Sequence, residues 1–100
     1  TMYKIDIDNT IAQQPFDGLQ IEKLAKTESM EILSISLAKD AIFPKHTSPK
    51  DAHLVVLEGS IDFHIENQSV TLLPQQHFGF SKEVEHWVRA LADTKFLIIR

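Results

Sequence analysis

The sequence predicts an all-β fold: a small antiparallel β-barrel or jelly roll. Turn-forming residues divide the chain into short apolar stretches, at Pro15, Asp17-Gly18, Lys39-Asp40, Pro44, Pro49, Glu58-Gly59, Asn67-Gln68, Pro74 and Ala92-Asp93. Segments of about six to nine residues between such signals are the mark of strands in a sandwich or barrel. Several of these segments alternate apolar and polar residues, and no long stretch carries the 3.6-residue period of an amphipathic helix.

Taken in order, residues 3–16 read as an arm or a short helix, and residues 19–25 as a weakly alternating strand. In 30–38, Leu33, Ile35 and Leu37 share one face and Ser34 and Ser36 the other. Residues 53–58 are nearly continuous in apolar character, as a strand buried on both faces would be. In 61–66, Ile61, Phe63 and Ile65 oppose Asp62, His64 and Glu66, a regular period of two. Residues 70–73, 77–81, 86–91 and 95–99 complete about eight strands, the count that the turn spacing suggests. One domain is expected over 1–100, with 1–18 as an N-terminal arm and 19–99 as the barrel. Thr1 ahead of Met2 reads as a remnant of expression and carries no weight.

Composition narrows the function. A hydrophobic fraction of 43% with 24% charged residues is globular. Ten basic against fourteen acidic residues give a net charge of −4. With no basic cluster longer than a pair, the chain lacks what phosphate binding needs, so nucleic acid is excluded as a partner. No cysteine is present, which removes disulfides and thiolate chemistry and fits a cytoplasmic protein. The longest uninterrupted apolar runs, Leu54 to Leu57 and Phe96 to Ile99, are far short of the roughly 20 residues of a membrane span or the roughly 7–15 of a signal peptide. Neither a membrane partner nor a leader is expected.

The segment "HTSPKDAHLVVLEGSIDF", followed by "HWVRALADTKFLII", resembles a small single-domain cupin, the RmlC-like double-stranded β-helix, over roughly residues 33 to 99. Laid on the first cupin motif, His46 falls on the first histidine, Ser48 on the second, Ala52 on the glutamate and Gly59 on the closing glycine, while Asp40 takes the opening glycine. In the second motif His86 falls on the histidine. Gln75, Ser81, Glu83 and Ala90 take its glycine, proline, glycine and asparagine positions. The motif residues kept are His46, Gly59 and His86.

The resemblance implies a lumen-facing site in which three histidines and a glutamate hold one divalent transition metal, iron, manganese, nickel or zinc. Neutral imidazoles suit such ions, and one carboxylate offsets their charge. Here His46 and His86 remain, Ser48 is a weak donor and Ala52 has none, so these last two would only line the ligand lumen. His53 offers itself as a third ligand, one residue beyond the glutamate position. A one-residue slip turns a side chain to the opposite face unless a bulge intervenes, and the loop 47–52 with Pro49 gives room for one. The alternatives are an altered metal site on His46, His53 and His86, or no metal and a histidine pair hydrogen-bonded in a polar lumen. By parity His64 faces away from the lumen, and His77 reads as a loop histidine near the barrel mouth.

Other chemistry finds little support. Ser48 sits in no nucleophile elbow, the three glycines form no phosphate loop, and the single tyrosine, Tyr3, lies near the terminus. The leading expectation is a small-molecule-binding barrel, a sensor or accessory protein, with an altered or degraded metal site. The alternatives are a metal-dependent dioxygenase or isomerase and an oligomerising module without ligand. A homodimer is expected, because Phe96 to Ile99 puts apolar groups on both faces and Trp87 lies outside the lumen by parity.

Overall fold

The structure is a computed structural model describing residues 2–100; Thr1, the first residue of the expected arm, lies outside the described residues. A single helical turn, α1 (Thr10–Gln13), precedes nine strands. They are β1 (Leu19–Lys26), β2 (Glu31–Leu37), β3 (Ile42–His46), β4 (Ala52–Glu58), β5 (Ile61–Ile65), β6 (Gln68–Leu72), β7 (His77–Phe80), β8 (His86–Ala90) and β9 (Thr94–Ile99). One sheet has the order β1-β2-β9-β4-β7 and the other β3-β8-β5-β6. Every pairing is antiparallel. No described helix is long and apolar enough to cross a membrane.

The two sheets face each other over one core. Ile35 and Leu37 of β2, Leu54 and Val56 of β4, and Phe96 and Ile98 of β9 come from the first sheet. Ile61 and Phe63 of β5 with Val88 and Ala90 of β8 come from the second. These are alternate residues of their strands, as period-two patterning requires.

The chain departs from expectation at two places. Residues 42–46 form a ninth strand across Pro44, a residue whose type marks a divider between strands. Proline is tolerated because β3 is an edge strand and its register with β8 shifts between Phe43 and His46, so the missing N–H costs no ladder bond. Secondly, β4 is not buried on both faces. Leu54 and Val56 are buried, while His53 is exposed and Leu57 is 38% exposed. On β9 likewise, Phe96 and Ile98 enter the core, and Leu97 and Ile99 face outward, half-buried.

Part of the outer face of the five-stranded sheet is covered by the chain's own N-terminal segment. Gln14 donates to Gln20 O and Ser34 O, Ser34 Oγ donates to Gln14 Oε1 at 2.6 Å, and Ser36 Oγ donates to Pro15 O at 2.6 Å. Lys95, only 5% exposed, donates to Ile11 O at 2.6 Å and lies over the Phe16 ring. These bonds satisfy the polar groups that the sheet would otherwise bury unpaired. Residues ahead of Ile11 leave the barrel: Tyr3, Ile5 and Ile7 are 76–88% exposed.

The β4–β5 turn fixes the barrel's geometry at Gly59, the glycine of the motif. Its φ is +77°, and a Cβ there would overlap Asp93 O and Thr94 Oγ1. Only glycine fits.

Candidate functional site: a barrel lumen closed on two imidazoles

Between the sheets lies a cavity of about 380 Å³. Its wall is apolar and rich in rings, from Phe43, Phe63, Phe80 and Phe96. Two histidines from adjacent strands meet on that wall. His46 of β3 and His86 of β8 are register partners, so their side chains leave the sheet on the same face. Their ring centroids are 4.2 Å apart, edge to face. Phe43 stacks on His46 at 4.1 Å, and Phe63 and Phe80 flank His86 at 5.4 and 4.6 Å.

The two rings are oriented alike. His46 Nδ1 lies 2.8 Å from Pro44 O, and His86 Nδ1 lies 2.8 Å from Val84 O. A carbonyl oxygen only accepts, so each Nδ1 carries a proton and donates; in its neutral form each ring then presents an Nε2 lone pair. His86 is 3% exposed. Burial holds its imidazole below the usual histidine range; the bond to Val84 O opposes this, and the nearby His46 lowers it further. No described buried side-chain nitrogen or oxygen is both sealed off and unpartnered. The Nε2 of His86, bonded to no described residue, therefore opens on the cavity.

At the rim, Arg100 Nε donates to Glu31 Oε1 at 3.0 Å, and Lys23 Nζ lies 3.4 Å from Glu31 Oε2. The Arg100 bond is the main cause holding the Glu31 carboxyl below its usual range. This cluster was not legible in the sequence, where Glu31 and Arg100 stand 69 residues apart.

Three solved structures share this architecture. A Cupin_2 domain of an XRE family transcriptional regulator from Enterobacter cloacae is 22% identical over 83% of this chain and 95% of its own, with a TM-score of 0.74. An RmlC-like cupin protein from Desulfovibrio desulfuricans is 22% identical over 96% and 95%, with a TM-score of 0.83. The chain has the RmlC-like cupin fold. A cupin family protein with a double-stranded β-helix from Methanocaldococcus jannaschii agrees, at 19% identity over 100% and 91% and a TM-score of 0.81. No protein-family model matches the sequence, and no curated protein matches it.

The full ligand set of the cupin motifs is not assembled on this cupin fold. Ala52 is 1% exposed and brings no donor where the motif has glutamate. Ser48, 2% exposed, donates its hydroxyl to Lys50 O at 2.7 Å and accepts from Arg100 Nη1. His53 does not join the pair, which corrects the expectation of a third lumen ligand. The bulge that would have turned it inward is absent: the pairing of β4 with β7 runs unbroken from Ala52 to Val55, and with β9 from His53 to Val56. His53 therefore points outward over Gly79, with its Nδ1 2.8 Å from His77 Nε2. Among the described residues, no three His, Cys, Asp or Glu side chains are grouped to hold a metal ion. The residues present fit two positions of the four-ligand set and not the set as a whole. His64 lies on the outer face of its sheet, stacked on Trp87 at 3.7 Å and 2°.

Proposed function

We propose that this cupin-fold chain is a small-molecule-binding protein, with a sensing or accessory role and an altered metal site. The observation that carries the reading is the aromatic cavity of about 380 Å³ ending on two imidazoles with unpartnered Nε2 atoms. A pocket of mostly apolar wall with a few oriented polar atoms is the ordinary form of a ligand site. The fold neighbour from a transcriptional regulator supports a sensing role over a structural one. The metal-enzyme alternative, a dioxygenase or isomerase on His46, His53 and His86, is not favoured, because His53 lies on the other face of β4. Dimerisation through the outer sheet face and a cytoplasmic location belong to the same proposal.

A thermal-shift screen of a small-molecule library against the wild type and Leu33→Trp tests the reading. Leu33 lines the cavity and is only partly buried, so tryptophan there fills the lumen and leaves the fold. Ligands that stabilise the wild type and not Leu33→Trp are expected. Stabilisation of both alike would place binding elsewhere.

A further inference from the structure

We propose that the lumen selects an uncharged, ring-containing molecule bearing a hydrogen-bond donor, a phenol-like hydroxyl, which it binds through the Nε2 atoms of His46 and His86. This rests on the reading of the lumen as a ligand site and names the class of ligand.

Size comes first. A dry apolar cavity of about 150 Å³ suffices for benzene, and this one, at about 380 Å³, is roughly two and a half times larger. One ring with a substituent, or two rings, fills it. The wall of phenylalanines favours a flat ring, which packs offset or edge-on against them.

Polarity follows from the tautomers. With each Nδ1–H spent on a main-chain carbonyl, both rings in their neutral form offer the lumen an acceptor and no donor. A molecule with only acceptors would face two lone pairs and leave its own polar atoms unpaired on burial, which is costly. A hydroxyl or N–H answers one of them, or is shared between the two rings, whose centroids are 4.2 Å apart. Away from the rim residues Lys23, Glu31, Thr47, Ser48 and Arg100, His46 and His86 are the only polar side chains on the described wall. The donor therefore has one place to go.

Charge is disfavoured by the apolar wall and the paired rim. Arg100 and Lys23 both share Glu31, and Arg100 also bonds Ser48 Oγ at 3.4 Å. An anionic ligand would share cations already paired with Glu31 and would leave water for an apolar wall, which is costly. A cationic ligand finds no carboxylate beyond that shared one on the wall.

The experiment is calorimetric titration of the full chain, in excess chelator, with three probes of one shape: 4-ethylphenol, 4-ethylanisole and 4-ethylbenzoate. The phenol is expected to bind about tenfold or more tightly than the anisole, the ratio one buried hydrogen bond supplies. That preference should weaken in His86→Phe or in the half-exposed His46→Phe and vanish when both are replaced, the single variants guarding against a folding defect in the double one. Equal binding of phenol and anisole would overturn the donor inference while leaving the lumen as a ligand site. Tightest binding of the benzoate would overturn the neutral class. Phenol binding that appears only when zinc replaces the chelator would mean that a metal, and not the phenol, takes the imidazoles, and would overturn the inference as well. No binding by any probe would sink the reading of the lumen itself.

Discussion

Gly59→Ala and Gly18→Ala make a matched pair that isolates what the motif glycine does. Both glycines are left-handed, with φ of +77° and +57°. Alanine in that region costs roughly 1–2 kcal/mol through its own backbone. At Gly18 nothing lies within 4 Å of the added Cβ, so that backbone cost is the whole cost. At Gly59 the Cβ meets Asp93 O and the Thr94 side chain and backbone. Thr94 cannot yield freely: its Oγ1 accepts from Ser60 N at 3.1 Å and lies 3.0 Å from Ser60 O and 2.8 Å from Ala92 O. Displacing it forfeits about two of those bonds, roughly 1 kcal/mol each. Gly59→Ala should thus cost about 3–4 kcal/mol in all. For a domain of this length that lowers the melting temperature by about 15–25 °C, against about 5–10 °C for Gly18→Ala. Urea titration and calorimetry measure both variants. Equal losses at the two sites would refute the claim that close approach of β9, and not backbone conformation alone, demands glycine at 59.

Three further outcomes are expected. The unfolded chain takes a proton on His86 at a pH where the folded chain resists it, so stability is full above about pH 6.5 and falls as pH drops below that value. Urea midpoints between pH 5 and 8 should show this slope and should show less of it in His86→Phe; an unchanged slope in the variant would assign it elsewhere. His53→Ala and His77→Ala should leave binding of 4-ethylphenol within about twofold of wild type, because both rings lie outside the lumen; loss of binding in either would return His53 to the site. Light scattering should give about twice the single-chain mass of 11.4 kDa, reduced to one chain by Leu97→Glu or Ile99→Glu on the outer face; a single-chain mass for the wild type at micromolar concentration would refute the dimer.

The histidine pair was legible in the sequence because it needed only two motif positions, and the register partnership of β3 with β8 then set both rings on one face. Trp87 and His64 were legible by strand parity alone. His53 was not, since its facing turned on whether a bulge followed Pro49, and bulges leave no reliable trace in composition. Strand β3 was hidden by Pro44, which breaks a central strand and is harmless on an edge. The apparent two-faced burial of β4 and β9 misled for a different reason. An apolar run shows what a strand could bury, while among the described residues the N-terminal segment 11–16 bonds to the outer face of this sheet at Ser34, Ser36 and Lys95. The rim cluster of Lys23, Glu31 and Arg100 depends on long-range pairing and no local pattern announces it.

The central claim is that the lumen offers two Nε2 lone pairs to a ligand. Long-range proton–nitrogen NMR of the imidazoles at pH 7.5 reads this directly, by separating the protonated ring nitrogen from the bare one. The account predicts that His46 and His86 both carry their proton on Nδ1, and that adding 4-ethylphenol moves the Nε2 resonance of at least one of them while His53, His64 and His77 stay still. A proton found on Nε2 of either ring, or Nε2 resonances indifferent to the phenol at saturating concentration, would contradict it.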